Sequence, residues 1–294
     1  MRKRLERKHI DLQFISLFIS IIAFLILGIF SGEIIWLEDS QYIISLISGV
    51  LAIFIGVLAI LRYFMQKGNM RFIFLGAGFL GTGVLDIIQA VTETQGTEPT
   101  LMSVIPKVFL SILLLLGWFV GKRSVKDAKR KKEEVKLMIL ISAIFLVFVG
   151  VYLFILFRGA VVGNLAIVIL GLVSFLLLIL SLLGYVFDKE WRYDDFYYWI
   201  IFAISLLIMS NIFYLPILDL EYSNMINLSV LARLFGYVGL LVAFLNSIYV
   251  LYIKEKDIQK ELGDENRILS KTKAKVEEEY VKLRKEKWCI MKKK

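Results

Sequence analysis

Eight apolar stretches divide this chain, each close to the roughly 20 residues an α-helix needs to cross a bilayer. They lie at 13–31, 42–64, 71–91, 101–121, 136–157, 163–187, 195–217 and 225–253. Together they take up more than half of the 294 residues. Hydrophobic residues make up 59% of the chain and charged residues 21%, against about 45–50% apolar in a soluble domain. One globular core cannot hide that excess. A soluble enzyme, a disulfide scaffold and a disordered tail protein are excluded.

The net charge of +9 sits where a membrane protein carries it, at span ends and in a C-terminal tail, and gives no sign of nucleic acid. The N-terminal segment 1–12 holds Arg2, Lys3, Arg4, Arg7 and Lys8. The first loop carries Glu33, Glu38 and Asp39 and no base; the second has Lys67 between Arg62 and Arg71. The third, from Thr92 to Thr100, again has none, and the fourth is densely basic from Lys122 to Lys136. The fifth has only Arg158, the sixth Lys189 and Arg192, and the seventh Asp219 and Glu221 with no base. Basic loops mark the cytoplasmic side. This alternation predicts an even span number and two cytoplasmic termini in a multi-pass cell-membrane protein. A secretory signal peptide is the competing reading of residues 1–31. The apolar run is long for one, and no small-x-small cleavage site follows clearly, so residues 13–31 read as a retained span.

The tail from Lys254 to Lys294 is polar, with no proline and one glycine, Gly263. Leu262, Leu269, Val276, Leu283 and Ile290 recur every seven residues. The second heptad position is poor, with Glu265, Thr272 and Glu279 in one register and Asn266, Lys273 and Tyr280 in the other. A strong coiled coil needs both positions apolar. Two readings stand: a solvated amphipathic helix, or a weak parallel coiled coil in a homodimer. Nothing between Tyr252 and Ile258 breaks the chain, so the last span is expected to run on into this helix. The fold expected is an all-α membrane protein: an eight-span helical bundle over 13–253, then a cytoplasmic helix over 254–294.

Gly76-Ala-Gly78-Phe-Leu-Gly81 spells G-x-G-x-x-G. A dinucleotide site needs a strand before that motif and exposed amides at a helix start. Here it lies inside an apolar span, where small residues let helices approach closely, and Gly83 extends the same segment.

Polar residues inside the spans are the candidate site. Asp86 and Gln89 share a helix face with Thr82 and Glu93 near one end of the third span. The fourth span places Lys107 at that level, with Ser103 and Ser111 one turn to either side. The eighth brings Arg233 with Ser229 and Tyr237, and the seventh brings Ser210, Asn211 and Tyr214. By the charge alternation this layer lies in the outer part of the membrane. A charge at the bilayer centre costs at least about 2.5 kcal/mol, so such groups face the bundle and find partners. One Asp against one Lys and one Arg leaves a positive site. The options are a structural salt bridge from Asp86 to either base, a Lys107 that snorkels to the surface, or an outward-opening pocket for an anionic or carbonyl-rich ligand. The pocket candidates are Asp86, Gln89, Lys107, Asn211 and Arg233.

No catalytic signature accompanies them. Asp86 is the one acid well inside a span, whereas an aspartyl protease needs two. The single histidine, His9, precedes the first span, which removes histidine-dependent hydrolysis and most metal sites from the membrane region. The single cysteine, Cys289, rules out an intrachain disulfide. No cofactor is expected. Trp36, Tyr42, Trp118, Trp191, Tyr193, Tyr197, Tyr198, Trp199 and Tyr222 cluster near span ends and read as interfacial anchors.

Arg62-Tyr63, then Gly68, then Arg71-Phe-Ile-Phe-Leu-Gly-Ala-Gly-Phe-Leu-Gly-Thr-Gly-Val-Leu-Asp86-Ile-Ile-Gln89 resembles the membrane-associated sensor domains of the MASE series, third class. In that family the motif ends in His, where this chain has Gln89; Gln exchanges hydrogen bonds but does not titrate. Lys107 falls where the family tends to carry a base. Met209-Ser210-Asn211-Ile-Phe213-Tyr214 and Leu231-Ala-Arg233-Leu-Phe-Gly236-Tyr237 look like its closing pair of spans, with Asn211 in place of an acid. The resemblance covers about residues 40–253, and only the third-span motif is specific. It implies a signal-input module whose last span continues into a dimeric signalling helix. The implied partner is a histidine kinase or diguanylate cyclase of a two-component type of system. No output domain is legible in this chain. The expectation is therefore a non-enzymatic membrane sensor; the alternative is a small-solute, anion-biased transporter or transporter subunit. Against transport, no internal repeat is evident, and no pair of Gly/Pro-interrupted spans occupies matching places.

Overall fold

The computed structural model describes residues 2–30, 40–65, 69–92, 101–121, 127–158, 164–188, 195–215 and 222–291. Among them there is no strand. The helices are α1 (Arg2–Ile29), α2 (Ser40–Met65), α3 (Arg71–Thr92), α4 (Leu101–Gly121), α5 (Asp127–Arg158), α6 (Asn164–Phe187), α7 (Asp195–Tyr214) and α8 (Tyr222–Met291). Seven of them, α2 to α8, are long and apolar enough to cross a membrane, as a multi-pass membrane protein requires; the apolar part found in α1, Ile15–Ile29, is shorter. Helix ends fall within a few residues of the spans read from hydropathy, with three exceptions, the first being α1, which starts at Arg2. Helix α5 starts at Asp127 and takes up part of the basic fourth loop, and α8 runs on to Met291.

Contacts divide the chain into a unit of residues 1–245 and a unit of residues 246–294, eight residues before the change of character in the sequence. In the first unit α3 packs against α2 and α4, α4 against α6, α6 against α7, and α1 against α7. Helices α7 and α3 are the most enclosed and α5 the least. Helix α5 turns Ile139, Leu146, Val147 and Phe154 outward. A face of that kind would be an aggregation surface in water; against lipid it is the expected boundary. Helix α1 joins the bundle through Phe24, which packs with Leu206, Met209 and Phe213 and meets the Phe235 ring at 5.9 Å.

The glycines of α3 serve two neighbours. A Cβ on Gly83 would lie 2.6 Å from the Gly49 carbonyl oxygen, and one on Gly56 would lie 2.8 Å from that of Gly76. Gly49 and Gly56 of α2 thus face Gly83 and Gly76 of α3 at a matching seven-residue spacing, and the antiparallel backbones touch. Gly78 turns to α4, where its Cβ would meet Leu113 at 3.2 Å, and Gly81 abuts Phe109. The G-x-G-x-x-G segment is a packing device, as its place in a span suggested.

Nearer the start of α3, a second cluster corrects the sequence reading. The Arg62 guanidinium carbon lies 3.6 Å from the Phe196 ring centroid and 4.5 Å from that of Phe72. The Phe196 ring also meets Phe244 at 4.7 Å. Arg71 Nη2 donates to Asp188 Oδ2 at 3.1 Å, and Asn69 Nδ2 donates to Tyr197 Oη at 3.1 Å. Tyr198 Oη pairs with Ser16 Oγ. Arg62, Arg71, Tyr197 and Tyr198 are all buried. The first two are not loop charges and the last two are not interfacial anchors. A desolvated cation over an aromatic face is worth about 2 kcal/mol or more, which fits an Arg held between two rings. Trp36, Trp191, Tyr193 and Tyr222 lie outside the residues whose side chains are described.

In the second unit Leu262, Leu269, Val276 and Leu283 are all exposed. The i,i+4 pair of Lys282 with Glu278 at 3.2 Å is exposed as well and contributes little.

The helix contacts generate a contrast. Gly83→Ala places a methyl against a backbone oxygen that cannot rotate away, so it should destabilise by about 1–3 kcal/mol. Gly150→Ala meets nothing within 4 Å and should gain helix propensity, up to about 1 kcal/mol. Thermal unfolding of the solubilised protein checks both; a Gly83→Ala protein as stable as wild type would contradict the packing.

Candidate functional site

Fifteen residues along α3 from Arg71, about 22 Å at 1.5 Å per residue, Asp86 occupies a fully enclosed position. Its Oδ1 accepts from Arg233 Nη1 of α8 at 2.8 Å. Both residues are buried, at 1% and 5% exposure. Of the two bases the sequence offered, the pair goes to Arg233. The expected reason is geometry: the planar guanidinium reaches a carboxylate with directed N–H groups. Breaking one side of such a pair is costly because the other charge stays in a medium that cannot solvate it.

Lys107 of α4 takes other company. Its Nζ lies 3.4 Å from the centroid of the Tyr214 ring and 3.5 Å from Ser229 Oγ. The ammonium therefore rests on an aromatic face of α7 and points toward a hydroxyl of α8. This settles the snorkelling option against a simple escape to the surface, since Lys107 is only partly exposed and its amine has intramolecular contacts. Tyr214 also pairs through its hydroxyl with Ser103 of α4.

The serines tie the helices around these charges. Ser229 Oγ donates to the Ser210 carbonyl at 2.7 Å, and the two hydroxyls lie 3.0 Å apart. Ser111 Oγ donates to the Lys107 carbonyl at 2.6 Å and sits 2.8 Å from Ser174 Oγ. Thr82 Oγ1 reaches the Pro106 carbonyl at 3.5 Å. Asn211 Nδ2 donates to the Leu207 carbonyl at 3.1 Å, one turn back on its own helix. Tyr237 stands edge-on to Phe79 with ring centroids 5.5 Å apart.

A small cavity of ≈ 10 Å³ opens at the centre of this layer, about the room for one water. Its polar lining comes from Thr82, Lys107, Ser111, Asn211, Arg233 and Tyr237, with Ser210 beside them. Among the described residues, Asp86 Oδ2, Arg233 Nε and Tyr237 Oη have no hydrogen-bond partner. Buried polar atoms of that kind are exceptional and call for an explanation.

Four of the five site residues named from sequence therefore meet in one layer. Asp86 and Arg233 form the pair, and Lys107, Asn211 and Arg233 line the cavity. Gln89 is partly buried one turn further along α3 and is not among the cavity residues. Glu93, read on the same face, lies outside the described residues. Sequence reasoning missed Ser174 of α6, the partner of Ser111. A serine in a span of mean hydropathy 3.0 was the available signal, one shared with Ser181 of the same helix.

No protein-family model, no curated protein and no solved structure matches this chain.

The pair generates a double-mutant test. Asp86→Leu and Arg233→Leu should each destabilise by about 3–5 kcal/mol, and the double change should recover most of that loss. Thermal unfolding in detergent or nanodiscs reads the cycle. Additive losses would show that the two residues do not act as a pair.

Proposed function

We propose that the protein is an integral membrane signal-input module of eight spans, with both termini in the cytoplasm. It reads a ligand or a membrane state in the polar layer of α3, α4, α7 and α8. It passes the result through the last span to a cytoplasmic helix, which pairs with its copy in a homodimer and acts on a separate output protein such as a histidine kinase or diguanylate cyclase. The observation that carries this reading is the Asp86–Arg233 ion pair. It joins the interior of the bundle to α8, the helix whose later residues carry the exposed heptad stripe of Leu262, Leu269, Val276 and Leu283. A change in the polar layer has two discrete ways to act: the pair is closed, or it is open. A two-state contact is what a switch needs, because a ligand shifts an equilibrium only by its differential affinity for the states.

Further support comes from α1, whose Phe24 packs on α7 residues as a retained first span would. The third-span motif resembles the third class of MASE sensor domains, which points to the same function. The cavity is smaller than a metabolite, so ligand entry requires the layer to open. An anion transporter would use the same positive layer, and transport of a labelled anion into vesicles would favour it.

Cysteine scanning of the tail in a Cys289→Ser background tests the reading. Disulfide cross-linking between chains should peak at 262, 269 and 276 and fall between them. Asp86→Asn should change its rate, with insertion intact. Cross-linking without seven-residue periodicity removes the dimeric helix. A periodic pattern that ignores Asp86→Asn, alone and with Arg233→Gln, removes the link from polar layer to tail.

A further inference from the structure

The cavity at the heart of the polar layer has an unusual balance of groups. Two cations, Lys107 and Arg233, line it. The one carboxylate nearby, Asp86, is committed to Arg233 at 2.8 Å and is not part of the lining. Within the described residues, a protonated Lys107 leaves the layer with one positive charge in excess, in a region where an uncompensated charge is costly and an anion beside it would hold the proton in place.

The hydrogen-bond inventory points the same way. Most lining hydroxyls and the Asn211 amide already serve protein acceptors: Ser111 the Lys107 carbonyl, Thr82 the Pro106 carbonyl, and Asn211 the Leu207 carbonyl. Tyr237 is fully buried, lines the cavity, and its hydroxyl has no partner among the described residues. Arg233 Nε–H is a second donor in the same state. Lys107 Nζ carries three donors, and the contacts described for it are a ring face and one distant hydroxyl. The wall thus offers donors and positive charge to a space the size of one water.

From this we propose that the cavity is a binding site for one monoatomic anion of the halide class, held between Lys107, Arg233 and the Tyr237 hydroxyl. The inference rests on the sensor reading only for its consequence, since it identifies what the polar layer would take up. The site itself stands on geometry. Size selects within the class. A carboxylate or phosphate is several times larger than the space, whereas a halide is little larger than a water, and the flexible, partly exposed Lys107 stem accommodates the difference. Water alone would satisfy the hydroxyl but leave the excess charge in place.

The test uses the full chain in nanodiscs, with sodium chloride exchanged for sodium gluconate at constant ionic strength. Gluconate is too large for the cavity. Chloride should raise the unfolding temperature of the wild type by a few degrees, with saturation, and broaden the chloride-35 resonance in proportion to protein. Tyr237→Phe should weaken both effects several-fold, and Lys107→Met should abolish them while the protein still unfolds cooperatively. Equal stability in the two salts together with an unbroadened resonance overturns the proposal. So does a chloride effect that Lys107→Met leaves intact. The tail cross-linking rate, followed in the same samples, separates the two ideas. Chloride binding with an unchanged rate keeps the anion site and removes its role as a signal. A rate that depends on Asp86 but not on chloride keeps the sensor and removes the anion.

Discussion

Hydrocarbon solvates neither a carboxylate nor a guanidinium, so a chain that places both inside its spans has to bring them together. The arrangement of α3 and α8 follows from that demand. Asp86 and Arg233 are 147 positions apart in the chain, and their contact fixes the rotation of each helix about its own axis. Once Asp86 faces α8, Thr82 to one side of it is directed to α4, and the positions of α3 on its other side are free to meet α2. The glycines are there, at 76 and 83, and the backbones of α2 and α3 close onto each other through them. The remaining polar groups of α4, α6 and α7 fill in around the pair as serine contacts and one lysine on an aromatic ring.

The bundle therefore has two polar centres of different character. Near Arg62 and Arg71 the cations are matched: two aromatic faces hold one, and a carboxylate and a tyrosine ring hold the other. Around Lys107 and Arg233 two cations share one carboxylate beside a water-sized space. Matched cations hold helices in place, whereas an unmatched one calls for a further partner.

Much of this was legible in the sequence because membrane spans declare themselves by length. Most helix limits, the run of α8 into the tail, the packing role of the α3 glycines and the grouping of Asp86, Lys107, Asn211 and Arg233 at one level follow from hydropathy, residue size and rise per residue, but the starts of α1 at Arg2 and α5 at Asp127 do not. What was not legible is partner choice. A span sequence shows which residues share a face but not which neighbour that face meets. So neither the choice of Arg233 over Lys107 by Asp86 nor the union of Ser111 with Ser174 could be read. The aromatic rule misled for the same reason. Tyr197 and Tyr198 sit at a span end, where tyrosines usually face lipid headgroups, but both turn inward, Tyr198 to Ser16 of α1 and Tyr197 to Asn69 just before α3. Gln89 was grouped with Asp86 by helical spacing alone, and it is not among the residues that line the cavity.

The account depends on Asp86 being an ionised partner of Arg233 inside the bundle. Infrared spectroscopy of the wild type in nanodiscs, with the Asp86→Asn spectrum subtracted, reads this directly. An ionic pair predicts that the difference contains a carboxylate stretch, narrowed and shifted by the guanidinium and insensitive to exchange of the external buffer. A protonated carboxyl band in its place would mean that Asp86 is a neutral hydrogen-bonding group, and the ion pair would no longer be what orders the helices around it.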